Sequence, residues 1–531
     1  MPLNNHDKLT KYTNRFHMTY KVFFSLLLCA FLCCALMIKG EIRNSDGVNQ
    51  SAICPKLLRD MANLTEAGWS TEELNAILVI SPENCAFRGE GNSNIVVALK
   101  KEDRVLRLRK SQVYTEGTIS LTGETLQKFQ LEADFISHVM KNLLGYRFVQ
   151  SPILIQLTAE NVRLINEAVH FKRPIHRLKK NVREVSTLGL LLPDHCTLPS
   201  HLRKYGEGPV LSVEIKPKQG FLPESYYLPH EHKLRASVCR FHLAQTYKKS
   251  KGEILSMSMY CPLDLFSGCP RRMNNALHEL LYHPQNNLRV FKDKELIFSE
   301  ENRSSLDITL KDFFDKPGIV SREEILCQLV TQILVHCFPT TDRSLTYEPA
   351  SHSDHGPQSC PSSSACTCPN RVRGQHKLPR GCVLDRILQI QRLGSMDVTA
   401  VYPHYLSLKK ALQCPNESIS ALEYLEDGHP FPSLPKALGF PNQQVYETDL
   451  EFTCRKIWEF LVALTARDCS IMLSLQKLSP ASRVYPKDSV VQDSNGQTYL
   501  FSVAVVDLDP KTVSKLEKVY FDDCNLIRAV C

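Results

Sequence analysis

The chain has 531 residues, with 64 Lys+Arg against 56 Asp+Glu, 43% apolar residues, 20 Cys, 30 Pro and 2 Trp. That apolar fraction can fill a globular core and excludes a largely disordered chain, while 22 Gly without a triplet period exclude collagen. A formal charge of +8 is mildly basic, which suits an anionic partner without naming one.

At roughly 150 residues per domain the length suggests about three domains, or one large two-lobed fold with insertions. Residues 22–38 form an apolar run broken only by Ser25 and preceded by Lys8, Lys11, Arg15 and Lys21. The run sits near the lower limit of about 17 residues for a membrane span. It reads as a signal anchor, a cleaved signal peptide, or an upstream-start segment outside the working protein. An anchor with its basic side leading would place the rest of the chain in the lumen. Asn49, Asn63, Asn302 and Asn416 begin glycosylation sequons. Cys29, Cys33 and Cys34 lie inside the apolar run, and the others scatter among core-like stretches around Cys261, Cys327, Cys337 and Cys469. They read as mostly reduced, buried thiols.

Residues 69–76 read as a lead-in to the first core strand. Residues 88–99 (RGEGNSNIVVAL) give a glycine turn running into a β-branched strand, and 105–109 (VLRLR) the next strand of a hairpin. Residues 126–144 carry helical periodicity. Residues 188–192 and 210–215 are short apolar runs of strand type, and 233–248, 273–282, 325–337 and 383–393 read as helices. Residues 338–380 turn to Ser, Pro, His and Cys without apolar period, which reads as a disordered loop insertion. A helix over 450–465 leads to Asp468, and a strand pair follows at 470–475 and 499–506. No internal repeat is present. This order predicts a two-lobed α+β fold, with an N-terminal extension at 1–60, an N-lobe at 61–205 and a C-lobe at 206–531.

Gly89-Glu90-Gly91-Asn92 lies between strands, where backbone N–H groups can approach phosphates. It is not a Walker A loop, because no G-K-[ST] follows; an ordinary hairpin turn is the alternative. Arg107 on the next strand suits a phosphate cation or a solvated strand face. In Glu214-Ile215-Lys216-Pro217-Lys218, alternation puts Glu214, Lys216 and Lys218 on one face of an extended segment. An exposed basic edge strand would look the same. Asp468 and Asp507 close apolar elements, where a carboxylate pair can hold Mg²⁺ and position a hydroxyl, or simply cap a helix and a turn. Jointly these features point to phosphoryl transfer.

With the runs RGEGNSNIVVAL, SVEIKPKQGF, VCRFHLAQ, YCPLDLFSG, PQNNLRVF, TARDCSIM and VVDLDPK in order from Arg88 to Lys511, the chain resembles the inositol-pentakisphosphate 2-kinases. These pass the ATP γ-phosphate to the axial 2-hydroxyl of inositol 1,3,4,5,6-pentakisphosphate and make inositol hexakisphosphate (phytate). The resemblance implies a two-lobed fold distantly like that of protein kinases. It assigns Gly89, Glu90, Gly91, Asn92, Arg107, Asp194, Glu214 and Arg289 to the nucleotide. Arg177, Lys216, Lys218, Arg240, Lys248, Asn286, Asn287, Lys511 and Lys515 go to substrate phosphates. Asp468 would orient or deprotonate the 2-hydroxyl, with Lys216 beside it in catalysis, and Asp468 and Asp507 would bind Mg²⁺.

The chain departs from the family pattern in places. Gln112 stands where relatives can carry an arginine, Pro193 occupies a hinge position that is polar in plants, Lys515 replaces an arginine and Tyr520 is shifted. The plant Cys/His zinc site has counterparts in His404, Cys414 and His429, with Glu417 at the position of the second cysteine, and Zn²⁺ accepts such an oxygen. A looser group of Cys360, Cys366 and Cys368 with His352 and His355 also carries metal-ligand chemistry. The resulting expectation is a monomeric kinase using ATP and Mg²⁺, without a nucleic-acid partner. By resemblance it works in cytoplasm and nucleus; residues 22–38 instead suggest membrane contact. A membrane-tethered, non-catalytic inositol polyphosphate-binding protein is the alternative. A protein kinase ranks last, since no H-R-D or D-F-G motif occurs.

Overall fold

The computed structural model describes residues 80–91, 93–111, 123–178, 181–182, 188–303, 306–314, 320–338, 377–412 and 449–530. Residues 22–38 and 69–76, Asn92 and nearly all of 338–380 lie outside them. Among the described residues no helix is long and apolar enough to cross a membrane.

Alternating sequence builds the first sheet. Strands β1 (Cys85–Glu90), β2 (Asn94–Leu99) and β3 (Arg104–Ser111) pair antiparallel around the glycine turn. In β3, Leu106 and Leu108 are buried on one face, which turns Arg107 to the other. Strands β4 (Ile153–Gln156), β5 (Asn181–Val182) and β6 (Leu188–Pro193) complete the order β1-β2-β3-β6-β4, with β5 on β3. Helix α1 (Gly123–Asp134), continued by a π-helical turn and Lys141–Leu144, packs Phe129 and Ala133 against Leu188 and Leu190. Helix α2 (Ala159–His170), capped by the Thr158 hydroxyl, lays Val162, Ile165 and Val169 on Ile95, Val97 and Leu106.

The second sheet holds β7 (Gly206–Ile215), β8 (Leu288–Lys292), β9 (Glu295–Phe298), β10 (Ser470–Leu478), β11 (Val490–Gln492) and β12 (Thr498–Val506). Their order is β11-β12-β10-β7-β8-β9, every pair antiparallel. The helices are α3 (Arg240–Ser250), α4 (Pro270–Tyr282), α5 (Arg322–Leu334), α6 (Val383–Arg392), α7 (Asp397–Leu412), α8 (Asp449–Asp468) and α9 (Lys515–Arg528). The largest core joins β7, β10 and β12 to α4, α5 and α6 through Val213, Leu473, Val503, Leu277, Leu329 and Ile387. A second helical core joins α7, α8 and α9 through Val401, Trp458 and Leu516.

The α+β class is therefore present, and two expectations need correction. Residues 233–248 do not form one helix: a 3-10 segment, His230–Ala236, stops at Ser237 and α3 starts after Cys239. The alternation expected over 214–218 also fails, because β7 ends at Ile215 and Lys218 takes a left-handed backbone (φ 61°). The described cysteines are unbridged, and most are buried.

Candidate active site

Strand register builds the site. Ser470 pairs with Val506, Ile471 with Ile215, and Glu214 with Arg289. The end of β7, the start of β8, the start of β10 and the end of β12 thus meet at one edge of the sheet. Glu214 and Lys216, Asn286 and Asn287, Asp468, and Asp507 are carried to that edge. Four sequence motifs spread from Glu214 to Asp507 become neighbours through antiparallel pairing.

Lys216 Nζ lies 2.7 Å from Asp507 Oδ2 and 3.9 Å from Glu214 Oε1. The Ser470 hydroxyl is 2.8 Å from Asp507 Oδ2 and 3.1 Å from Glu214 Oε1, with one proton to share. Crowding by the protein opposes ionisation of Asp507, but Lys216, Ser470 and Arg107 outweigh it and hold its carboxyl down to about 2. Its φ of 61° is left-handed for a non-glycine residue, a strain of order 1–3 kcal/mol that the surrounding contacts maintain. Asp468 closes α8, and its carboxylate is 2.9 Å from Lys511 Nζ. Partial loss of hydration again opposes ionisation, but Lys511, Lys218 and Arg240 pull its pKa below the ordinary range. Both carboxylates are about half exposed, at 53% and 49%, so their free oxygens can take a hard cation such as Mg²⁺.

Beside Asp468 opens a cavity of about 230 Å³ lined by Lys218, Arg240, Lys248, Asn286, Asn287 and Arg467, among others. Arg240, Ala244 and Lys248 recur every fourth residue, so α3 presents a single stripe to this space. Burial and the neighbouring Lys216, Lys248 and Arg240 push the Lys218 ammonium down to about 8, against the pull of Asp468. Asn287 Oδ1 and Gln219 Oε1 are buried in the wall without a hydrogen-bond partner, a state that a polar ligand would relieve. Gly220 lets the chain pass close against the Phe266 ring, 2.4 Å from where a Cβ would lie.

The glycine turn comes down on the other side. A Cβ on Gly89 would rest 3.5 Å from Arg289 Nη1, and Arg289 is itself 3.5 Å from Glu214 Oε2. Gly89, Arg289 and Glu214 thus line up across the gap between the two sheets, and Gly91 follows in the same turn; Asn92 is outside the described residues. The Glu90 carboxylate does not face that gap, being buried in ion pairs with Lys110 and Arg173. Any contact of Glu90 with a ligand there runs through its backbone. Arg107 pairs with Glu132 at 2.5 Å and with Asp509. Asp194 is likewise committed, 2.6 Å from Arg88 and accepting from the Cys196 amide at 3.0 Å.

The remaining expected residues divide. Arg177 sits in a one-turn 3-10 helix, Ile175–Arg177, and is not among the cavity-lining residues. Lys515 opens α9 with its pKa lowered by burial and by Lys511. Tyr520 stacks on Tyr402 at 3.9 Å. Of the zinc expectation, His404 lies 3.2 Å from the Thr453 hydroxyl, while Cys414, Glu417 and His429 fall outside the described residues.

Sequence reasoning missed Arg467 and Asp523. Arg467 lines the cavity between Phe221 and Phe460, donates to the Gly394 carbonyl at 2.9 Å and leaves Nε unpartnered. Burial pulls its pKa down to about 10. Its place directly before Asp468 was the available signal. Asp523, on α9, accepts from Arg240 Nε at 3.0 Å and from Arg235 Nη2 at 2.7 Å, which fixes Arg240 at the cavity. No sequence signal marked it, since the helix itself was not anticipated.

The geometry agrees with comparison to known proteins. A family model described as inositol-pentakisphosphate 2-kinase matches residues 87–524. The inositol-pentakisphosphate 2-kinase of Danio rerio is 33% identical over 464 residues, covering 83% of this chain and 92% of the relative. That of Arabidopsis thaliana is 26% identical over 477 residues, with the same coverage of 83% and 92%. That of Drosophila melanogaster is 29% identical over 373 residues, covering 51% of this chain and 57% of the relative. A match spanning both sheets and every motif at the shared edge leaves one conclusion: the chain belongs to the inositol-pentakisphosphate 2-kinase family.

Proposed function

We propose that the chain transfers the ATP γ-phosphate to the 2-hydroxyl of inositol 1,3,4,5,6-pentakisphosphate, giving inositol hexakisphosphate. The observation that carries this reading is the cation-lined cavity opening directly onto Asp468. Each phosphate monoester bears about −1.5 to −2 near neutral pH, so a pentakisphosphate demands concentrated positive charge. A chain of only +8 meets that demand by gathering Lys218, Arg240, Lys248 and Arg467 around one space.

Asp468, held ionised, accepts a hydrogen bond from the 2-hydroxyl and holds it in line with the γ-phosphate. Its depressed basicity suits orientation more than early proton removal, in keeping with the loose transition state of phosphoryl transfer, where the hydroxyl proton leaves late. Lys216, drawn toward Asp507, follows the charge that develops on the transferring group. Asp468 and Asp507 would hold Mg²⁺, which would supply charge neutralisation to the phosphates of the nucleotide. Gly89, Gly91, Glu214 and Arg289 take the nucleotide. In this reading the first sheet forms the nucleotide lobe (61–205) and the second the substrate lobe (206–531). The protein works as a monomer in cytoplasm and nucleus, where both substrates are available. A binding-only role would leave the Asp468 carboxylate facing five phosphates with nothing to do but repel them.

The test is a kinase assay on the full chain with the pentakisphosphate and Mg-ATP, products resolved by phosphate position. A 2-phosphorylated product is expected. Binding of both substrates with no turnover would overturn the proposal.

A further inference from the structure

Outside the active site, one group of potential metal ligands occurs among the described residues: Cys239, His242 and Cys261, whose ligand atoms all lie within 4.8 Å of one another. Cys239 caps the start of α3 and His242 sits in its first turn, so the C-x-x-H spacing puts both side chains on one helix face. Cys239 Sγ is 2.7 Å from His242 Nδ1. Cys261 arrives from a separate segment, and both cysteines are buried, at 1% and 3% exposure.

We propose that Cys239, His242 and Cys261 form a Zn²⁺ site. Two sulfurs and an imidazole nitrogen are the ligand set that favours zinc over the hard cations. With Zn–S near 2.3 Å and Zn–N near 2.1 Å, tetrahedral ligands stand about 3.5–4 Å apart, so the Cys239–His242 pair opens by about an ångström and no other pair closes by more than about that. No fourth His, Cys, Asp or Glu among the described residues joins it, so a water completes the shell. Binding converts two thiols to thiolates and releases two protons, with no change of oxidation state. This site is separate from the one expected around His404.

The place of the group gives the ion a structural role. Arg240 stands between Cys239 and His242 in the chain, and Tyr260, next to Cys261, donates its hydroxyl to the Pro217 carbonyl at 2.8 Å. The ion therefore ties the start of α3, which carries Arg240, to the segment that braces Pro217 and Lys218.

The experiment is metal analysis of the full chain after zinc loading and dialysis against a weak chelator. About one zinc per chain is expected, retained in His404→Ala and lost in Cys239→Ser with Cys261→Ser. Because the double variant could fail to fold, Co²⁺ is also added to wild-type protein. A thiolate-to-cobalt charge-transfer absorption is expected, displaced by Zn²⁺ and weakened in His242→Ala. The proposal is overturned by a wild-type chain that retains no zinc and gives no such absorption, by a folded double variant that keeps its zinc, or by an intact mass that shows Cys239 and Cys261 joined as a disulfide.

Discussion

Replacing Asp523 by Asn keeps the volume of a buried side chain and removes its charge. In the folded protein this carboxylate joins Arg235 and Arg240, at 2.7 and 3.0 Å. Arg235 keeps a bidentate pair with Asp397 at 2.8 and 2.7 Å, whereas Arg240 loses the carboxylate it is hydrogen-bonded to. Removing one partner of a buried pair costs about 3–5 kcal/mol, and the surviving Asp397 contact puts this case near 3 kcal/mol. In a fold this large, each kcal/mol moves the thermal midpoint by at most about 2 °C, so a fall of roughly 4–6 °C is expected. The KM for the pentakisphosphate should rise about tenfold as Arg240 loses its fixed position, while that for ATP holds. The pH dependence has a definite sign. Burial opposes ionisation of Asp523, but Arg240 and Arg235 lower its pKa below the ordinary carboxylate value. Its contribution is therefore fully present above the unfolded pKa of about 3.9 and is lost as pH falls through the lower folded value. The gap in thermal midpoint between wild type and variant should stay constant from pH 8 to about 5.5. A gap below about 1 °C at pH 7, or one that closes between pH 8 and 5.5, would refute the reasoning.

Three further outcomes follow from the site. Asp468→Asn should lower kcat by about a thousandfold, while pentakisphosphate affinity, followed by calorimetry, holds or improves as a negative charge leaves the cavity; unchanged kcat would remove Asp468 from catalysis. Lys218, at about 8, is half neutral in mildly alkaline solution, and phosphates re-protonate it, so substrate binding at pH 8.5 should take up protons. Calorimetry in buffers of different ionisation enthalpy reads that uptake, and Lys218→Met should reduce it; identical heats in all buffers would contradict the assignment. Gly220→Ala would push a methyl group against the Phe266 ring, at 2.4 Å, and should cost about 1–3 kcal/mol of stability. Phe266→Leu in the same chain should restore part of it, and an unperturbed denaturation curve for Gly220→Ala alone would show the loop is looser than its packing implies.

The chemistry of the site was legible in the sequence because its residues sit in short contiguous motifs. Asp468, Asp507, Lys216 and Glu214 each close or follow an apolar strand or helix, and period-2 and period-3.6 patterns mark those elements without reference to the rest of the chain. The glycine turn, the hairpin after it and the strand pair at the C-terminal end were legible for the same local reason. What the sequence could not supply was the direction of each side chain once regular structure stopped. Alternation predicted a shared face for Lys216 and Lys218, but β7 stops at Ile215 and Lys218 takes a left-handed backbone, so Lys218 lies with Arg240 and Lys248 while Lys216 lies against Asp507. Glu90 read as part of a phosphate loop, yet Lys110 and Arg173 claim its carboxylate. Asp523 and Arg467, and the meeting of Cys239 and His242 with Cys261, depend on packing between elements far apart in the chain. Local pattern reports which residues can form an element and carry charge. Only the antiparallel register of the second sheet and the docking of α3, α8 and α9 decide which of those charges share one cavity, because that choice is made by long-range contacts to which no single segment holds the information.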